Sequence, residues 1–297
     1  MPWSYFLHTD TDKLSVFLRS REYCCINFAS SFRKKHLEGT IRNRLFTGND
    51  DIIIHKKRDN ETVDSAIMLT KSGQLFPVSK HQTVETNFPD ISEGLNLFRN
   101  SLIKVNTIMG DKISVEKILK SSFSSKTAVE GINSFSYFVM TLENDAFKKA
   151  GNTVRGVRIR TATADDLYGL IPLQENYEIE EVLPSPEMFN SYVTAHHLAS
   201  VLKEQITVAA EKSGRIIAKA NTNGQGFCFN QIGGVYTLPE YRGMGISTSV
   251  VSFLIEKIMQ SGMKASLFVK TNNKAAIRVY TNLGFKIAEE FQITYFF

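Results

Sequence analysis

The stretch Leu238-Pro239-Glu240-Tyr241-Arg242-Gly243-Met244-Gly245-Ile246-Ser247 decides how this chain is read. It follows a strand-like run over 227–237. It precedes a segment in which Val250, Val251, Leu254, Ile255 and Ile258 recur at helical spacing. Two glycines ahead of a helix let the backbone turn several N–H groups toward one point. A helix N-terminus with free amides holds anions, phosphates above all. A second segment gives the loop a partner. Asn273-Lys274-Ala275-Ala276-Ile277-Arg278-Val279-Tyr280-Thr281-Asn282-Leu283-Gly284-Phe285 follows after the length of one buried strand, 265–270.

Working outward, 157–160 reads as a strand. Thr163-Ala164-Asp165-Asp166-Leu167 then supplies an N-cap and first-turn acids for a helix. Phe189, Tyr192, Val193 and His196 recur at i, i+3, i+4, i+7, which predicts a helix over 187–204. The runs 206–210 and 215–220 flank Lys212-Ser213-Gly214 as a hairpin. Gly262 closes the helix after the glycine loop, Gly284 ends a helix over 274–283, and 288–296 is a last strand. Strand, helix, helix, three strands, helix, strand, helix, strand is the order of a mixed α/β sheet.

A polar, glycine-bearing seam at Lys148-Lys149-Ala150-Gly151-Asn152-Thr153 divides the chain into residues 1–150 and 151–297. In the first part, 65–69 and 74–78 form a hairpin around Lys71-Ser72-Gly73. The run 103–109, then Gly110-Asp111, then 115–119 repeats the strand–glycine–helix sense of the second part. It lacks the Arg-x-x-Gly loop, so phosphate cradling is not expected there. The repeat suggests a decayed copy of one unit.

Composition narrows the function classes. The 297 residues suffice for two ordinary domains, and 42% hydrophobic with 22% charged residues is normal for a globular protein. No apolar run approaches the roughly 20 residues of a membrane span, and the first residues lack a basic lead and apolar core, so a cytoplasmic protein is expected. Cys24, Cys25 and Cys228 give neither a disulfide framework nor a metal spacing; the adjacent pair reads as small core residues. The net charge of +5 is mild. Residues 1–150 hold 21 Lys and Arg against 17 Asp and Glu, and residues 151–297 hold 14 against 13. Arg33-Lys34-Lys35 and Lys56-Lys57-Arg58 are too short for a nucleic-acid stripe, so neither nucleic acid nor membrane is an expected partner.

On these motifs, residues 157–297 resemble the GNAT superfamily of acetyl-CoA-dependent N-acetyltransferases. The family loop Arg/Gln-x-x-Gly-x-Gly/Ala is matched by Arg242-Gly243-Met244-Gly245-Ile246-Ser247, with Ser247 in place of the usual Gly or Ala. The second block, an Asn seven residues before a Tyr and then Leu-Gly-Phe, is present as Asn273, Tyr280 and Leu283-Gly284-Phe285. The resemblance implies an α+β fold: a mixed, mostly antiparallel GNAT-type sheet flanked by helices. The first half would be a degenerate copy, as in tandem GNAT proteins.

Carried over residue by residue, the resemblance implies that Arg242, Gly243, Met244, Gly245, Ile246, Ser247 and Thr248 hold the CoA pyrophosphate. Val235, Tyr236 and Thr237 would pair with the pantetheine arm as an added strand. Asn273 would bond the cofactor arm, a backbone N–H near Tyr236 would serve the oxyanion, and Tyr280 would protonate the departing thiolate. Taken alone, Tyr280 reads as a core aromatic; its spacing to Asn273 and Leu283-Gly284-Phe285 reverses that. No metal is implied.

The general base is less legible. The strand position where some members carry a glutamate is Gln231, which accepts no proton usefully. A water relay, Glu180, Glu181 or the Phe297 carboxylate are the alternatives, with Glu181 the chosen candidate. His196, with His197 beside it, reads as a core histidine. Between Arg160 and Lys203 there is no Lys or Arg, while Asp165, Asp166, Glu175, Glu178, Glu180, Glu181 and Glu187 all fall there. Such a field favours a small cationic amine as acceptor. The rival reading is an acyl-CoA sensor without turnover. A third, transfer from aminoacyl-tRNA, would need a basic groove that the second half does not offer. Residues 1–150 are left three roles: shaping the acceptor pocket, pairing two copies as a homodimer, or binding a second ligand.

Overall fold

The order of elements is written twice along the chain. The computed structural model describes residues 3–37, 51–57, 62–80, 91–98, 101, 103–122, 131–151 and 154–297. The first pass runs β1 (Trp3–Tyr5), α1 (Thr11–Arg21), α2 (Ile26–Phe32), β2 (Ile52–Lys57), β3 (Val63–Leu69), β4 (Gln74–Ser79), α3 (Ile91–Gly94), β5 (Thr107–Asp111), α4 (Lys112–Ser122) and β6 (Ile132–Leu142). The second runs β7 (Arg158–Thr161), α5 (Leu167–Tyr177), α6 (Ser191–Glu204), β8 (Thr207–Lys212), β9 (Arg215–Gln225), β10 (Phe229–Thr237), α7 (Ile246–Gln260), β11 (Lys264–Lys270), α8 (Lys274–Asn282) and β12 (Lys286–Phe296).

The chain divides into two compact units, Met1–Phe138 with Glu289–Phe297, and Val139–Ala288. The division therefore falls at Phe138/Val139 and not at 150/151, and the last residues return to the first unit. The cause is strand pairing: β12 lies antiparallel to β5, from Phe291 opposite Asp111 to Tyr295 opposite Thr107. No local pattern tells a final strand which edge it will join. Of the seam read from sequence, Asn152 and Thr153 lie outside the described residues, as does Arg58 of the second basic cluster.

In the first unit β1, β2, β3 and β4 are antiparallel neighbours, and β5 joins β4 in parallel. Its core gathers Ile54, Ile67, Leu69, Leu75, Ile91, Ile108, Val115 and Ile118. Cys24 and Cys25 of the same unit are buried, as expected. In the second unit β7, β8, β9 and β10 are antiparallel and β11 runs parallel to β10, so the sheet is mixed and mostly antiparallel. Helix α7 covers it with Val250, Val251, Leu254, Ile255 and Ile258, all buried. Each such side chain contributes about 1.5–3 kcal/mol by leaving water.

Two local readings change. Helix α6 begins at Ser191 and buries Thr194 and Leu198, while Tyr192, Val193, His196 and His197 are exposed. His196 is no core histidine, because α6 turns its Thr194–Leu198 face inward. The strand–glycine–helix run around Gly110 also changes its counterpart. β5 follows a parallel pairing with β4 as β11 does with β10, so β5–α4 corresponds to β11–α8, and not to the glycine loop and α7.

Candidate functional site

The second unit holds every residue singled out for cofactor and proton chemistry except Phe297, which falls in the first. Strand β10 pairs in parallel with β11 only from Phe229 opposite Lys264 to Ile232 opposite Leu267. Beyond it, Gly233 to Thr237 continue along β9 alone among the described residues. A bulge makes this possible. Gly233 faces Asn221 and Tyr236 faces Lys219, so two β10 residues oppose one of β9. An extra residue bends and twists its strand, and here it leaves an edge at Val235 to Thr237 that β11 does not pair.

The glycine loop lies past the end of that edge. Gly243 and Gly245 both have φ of 78°, the left-handed region glycine adopts without strain. A Cβ at either would meet nothing within 4 Å, so the glycines serve backbone conformation and not close packing. Gly245 is the N-cap of α7 and offers no side chain to its first amides, which remain for an anion. Met244 is exposed and Ile246 is buried beneath the loop, with Ser247 and Thr248 half-buried on the first turn.

Arg242 is fixed from three sides. Its Nε donates to the Thr237 carbonyl at 3.0 Å, its guanidinium lies 5.2 Å from the Tyr236 ring centre, and Nη2 donates to Glu180 Oε2 at 2.8 Å. The Tyr236 hydroxyl donates to the other Glu180 oxygen at 2.6 Å. Burial pushes the Glu180 carboxyl up, but these two donors outweigh it and hold it below the ordinary range. Burial and the same hydrogen bond push the Tyr236 phenol up to about 12. Glu180 is thus a structural anion that ties α5's extension to the loop, and a poor proton acceptor. The extension is a π-turn, Glu178–Val182, and its successive residues Glu180 and Glu181 meet different partners.

Glu181 Oε2 lies 3.7 Å from Lys270 Nζ, and Oε1 accepts a long 3.5 Å bond from Asn273 Nδ2. Asn273 spends its oxygen as the N-cap of α8, accepting from the Ala276 amide at 3.1 Å. Tyr280, seven residues on, is buried and meets the Phe285 ring edge-on at 5.9 Å. Its hydroxyl makes no hydrogen bond among the described residues, and burial, with Tyr177 and Glu181 nearby, keeps it protonated well above its ordinary pKa. The Leu-Gly-Phe block has a steric basis: a Cβ at Gly284 would sit 2.1 Å from the Ala146 carbonyl, and φ there is 103°.

Several features lay beyond sequence reasoning. Lys219 is fully buried, its Nζ donating to the Gly234 carbonyl at 2.9 Å and Asn221 Oδ1 at 3.1 Å. Gln231, at the expected base position, is buried with Oε1 unbonded, and the Ser266 hydroxyl in register with it on β11 is likewise unbonded. Part of the acidic stretch is paired with cations outside it: Arg160 holds Asp166 through two bonds of 2.7 Å and Arg242 holds Glu180, while Glu178 accepts only from the neutral Thr194 and Gln174. The described residues contain no group of His, Cys, Asp and Glu arranged to hold a metal ion. No helix among them is long and apolar enough to cross a membrane.

Comparison with known proteins adds the following. Residues 212–294 match the family model described as FR47-like protein. No curated protein matches the chain. Among solved structures, a Drosophila melanogaster protein superposes with a TM-score of 0.69 at 13% identity, over 99% of this chain and 98% of that one. A GCN5-related N-acetyltransferase from Sphaerobacter thermophilus gives 0.60 at 14% identity, over 98% and 94%. A tandem GNAT protein from the clavulanic acid biosynthesis pathway gives 0.54 at 12% identity, over 98% and 97%.

Proposed function

On the premise that this chain has the GNAT acetyltransferase fold over nearly its whole length, we infer that its second unit moves an acetyl group from acetyl-CoA to a primary amine. The observation that carries the reading is the splayed strand pair. A parallel ladder stops at Ile232 and Leu267, with the glycine loop past one strand and Tyr280 on the helix following the other. The free edge at Val235 to Thr237 is a template for an extended pantetheine arm, and Gly243 to Thr248 receive the pyrophosphate.

In the reaction the neutral amine nitrogen attacks the thioester carbon, and the carbonyl oxygen takes the electron pair. A backbone N–H near Tyr236 stabilises that oxyanion. Collapse expels the thiolate, which takes the Tyr280 proton. The burial that raises the Tyr280 pKa also penalises the bare thiolate, so the two proton affinities rise together. Glu181 removes the amine proton; unlike Glu180 it is engaged only at 3.5 and 3.7 Å. Asn273 acts through its α8 cap, which aims the helix that carries Tyr280.

The acceptor is a small cationic amine. Asp165, Glu175, Glu178 and Glu187 carry the field that remains after Asp166 and Glu180 are paired and Glu181 lies near Lys270. The protein works in the cytoplasm. The unbonded Gln231 where a base is expected favours a second reading, an acyl-CoA sensor. Release of CoA thiol against a panel of polyamines, amino acids and aminoglycosides separates them. Turnover with any amine supports the enzyme; tight acetyl-CoA binding with no turnover supports the sensor; no binding sinks both.

A further inference from the structure

A buried lysine in an otherwise well-packed sheet needs a reason, because taking an ammonium out of water costs several kcal/mol and an apolar residue of similar size would avoid it. Lys219 on β9 has no exposure at all. Burial brings its pKa down to about 7, with Glu178 partly opposing. Its two hydrogen bonds, to the Gly234 carbonyl and Asn221 Oδ1, match the two protons of a neutral amine, and the Tyr177 ring centre lies 5.3 Å from Nζ.

The peptide it grips is the bulge itself. The Gly234 N–H donates to the Tyr177 hydroxyl oxygen, and burial outweighs that bond and lifts the phenol's pKa to about 12. Gly234 has φ of 58°, and a Cβ there would sit 1.9 Å from Asn221 Oδ1 and 2.8 Å from Lys219 Nζ. Its carbonyl and its amide are thus both held by side chains and not by a neighbouring strand. The grip falls two residues past Ile232, the last β10 residue paired with β11.

We propose that Lys219 and Tyr177 are positioning residues that clamp the Gly234 peptide, fix the β10 bulge, and so hold β10 and β11 apart at the width the acetyl-CoA arm requires. The second half of that statement rests on the acetyltransferase reading; the clamp does not. Without the clamp, Gly234 is free to rejoin a regular ladder or to fluctuate, and the edge at Val235 to Thr237 loses its fixed direction.

The test compares wild type with Lys219→Met, Lys219→Gln and Tyr177→Phe. Amide hydrogen exchange over 229–237 should quicken about tenfold in Lys219→Met, the effect of one lost hydrogen bond, while β8 and β11 keep their rates. Tyr177→Phe, the milder change, should quicken the same amides, and it decides alone if Lys219→Met does not fold. Lys219→Gln retains a donor and should recover part of the protection. In turnover, KM for acetyl-CoA should rise about tenfold with a smaller change in kcat. Unchanged exchange at 233–237, or equal quickening in every strand, overturns the clamp. If wild type fails to bind acetyl-CoA, the functional reading falls, and the exchange rates still decide the clamp.

Discussion

The segments β5–α4 and β11–α8 are the same construction put to different uses. Each helix is opened by a side-chain oxygen that accepts the amide three residues on: Asp111 from Ser114 at 2.9 Å, Asn273 from Ala276 at 3.1 Å. Seven residues past the cap stands Ile118 in the first unit and Tyr280 in the second. Ile118 is sealed in an apolar core; Tyr280 is buried in carbon but keeps a hydroxyl with no partner among the described residues. The strands beside them differ as well. A Cβ at Gly110 would stand 2.9 Å from the Pro77 carbonyl and 3.0 Å from its ring, so β4 and β5 stay in contact beyond their paired residues. Between β10 and β11 the bulge prevents that closure. One scaffold therefore carries a parted strand pair and a buried phenol in the second unit, and a plain apolar core in the first.

The strongest way to break the comparison is at the glycine loop. Gly245→Asp places a side chain at φ of 78° and a negative charge beside the helix amides. Acetyl-CoA affinity measured by calorimetry should fall at least about 100-fold, or about 2.7 kcal/mol. Undiminished binding would remove the loop from the site. Next, Tyr280→Phe should cut kcat about 100-fold while acetyl-CoA affinity holds, the range for losing a general acid. Ile118→Val should leave kcat alone and cost about 1 kcal/mol of stability in urea. Equal kinetic effects would erase the distinction between the two positions.

A smaller effect comes from Lys219. Its pKa in the fold, about 7, lies below the ordinary 10.5, so between those values the unfolded chain binds more protons. Stability should therefore rise with pH from about 7 to about 10.5 and lose that contribution as pH falls through the window. Urea midpoints for wild type and Lys219→Met should converge in slope only below pH 7 and above 10.5; parallel curves throughout would place the amine in water. The smallest change is Glu180→Gln. The Arg242–Glu180 pair is half-exposed, with side-chain exposures of 48% and 41%, so screening limits its worth to about 1 kcal/mol. A two- to fivefold loss of acetyl-CoA affinity is expected. A loss beyond about 100-fold would make Glu180 part of the machinery and not a brace for Arg242.

Much of the second unit was legible because its signals are local. Alternation and turn glycines gave β8 and β9, the Thr163–Asp166 capping box opened the helical turn ahead of α5, and the stripe from Val250 to Ile258 is buried as its period required. The stripe through Tyr192 and Val193 misled, since periodicity marks one face of α6 without saying which neighbour that face will meet. The register of the repeat misled too: a strand followed by a helix occurs more than once in each unit, and only pairing with β4 shows which occurrence β5 is.

The sequence by itself determined the loop, the Asn273–Tyr280 spacing and the order of elements from β7 to β12, since each depends on residues close in the chain and on backbone preferences that Gly, Asn and β-formers carry with them. Tertiary structure alone decided that β12 closes the first unit, that Glu180 is bound by Arg242 and Tyr236, and that Lys219 grips Gly234. Those outcomes turn on which strand edges meet and which polar groups are buried together. Burial sets their energies, and no window along the chain contains both partners.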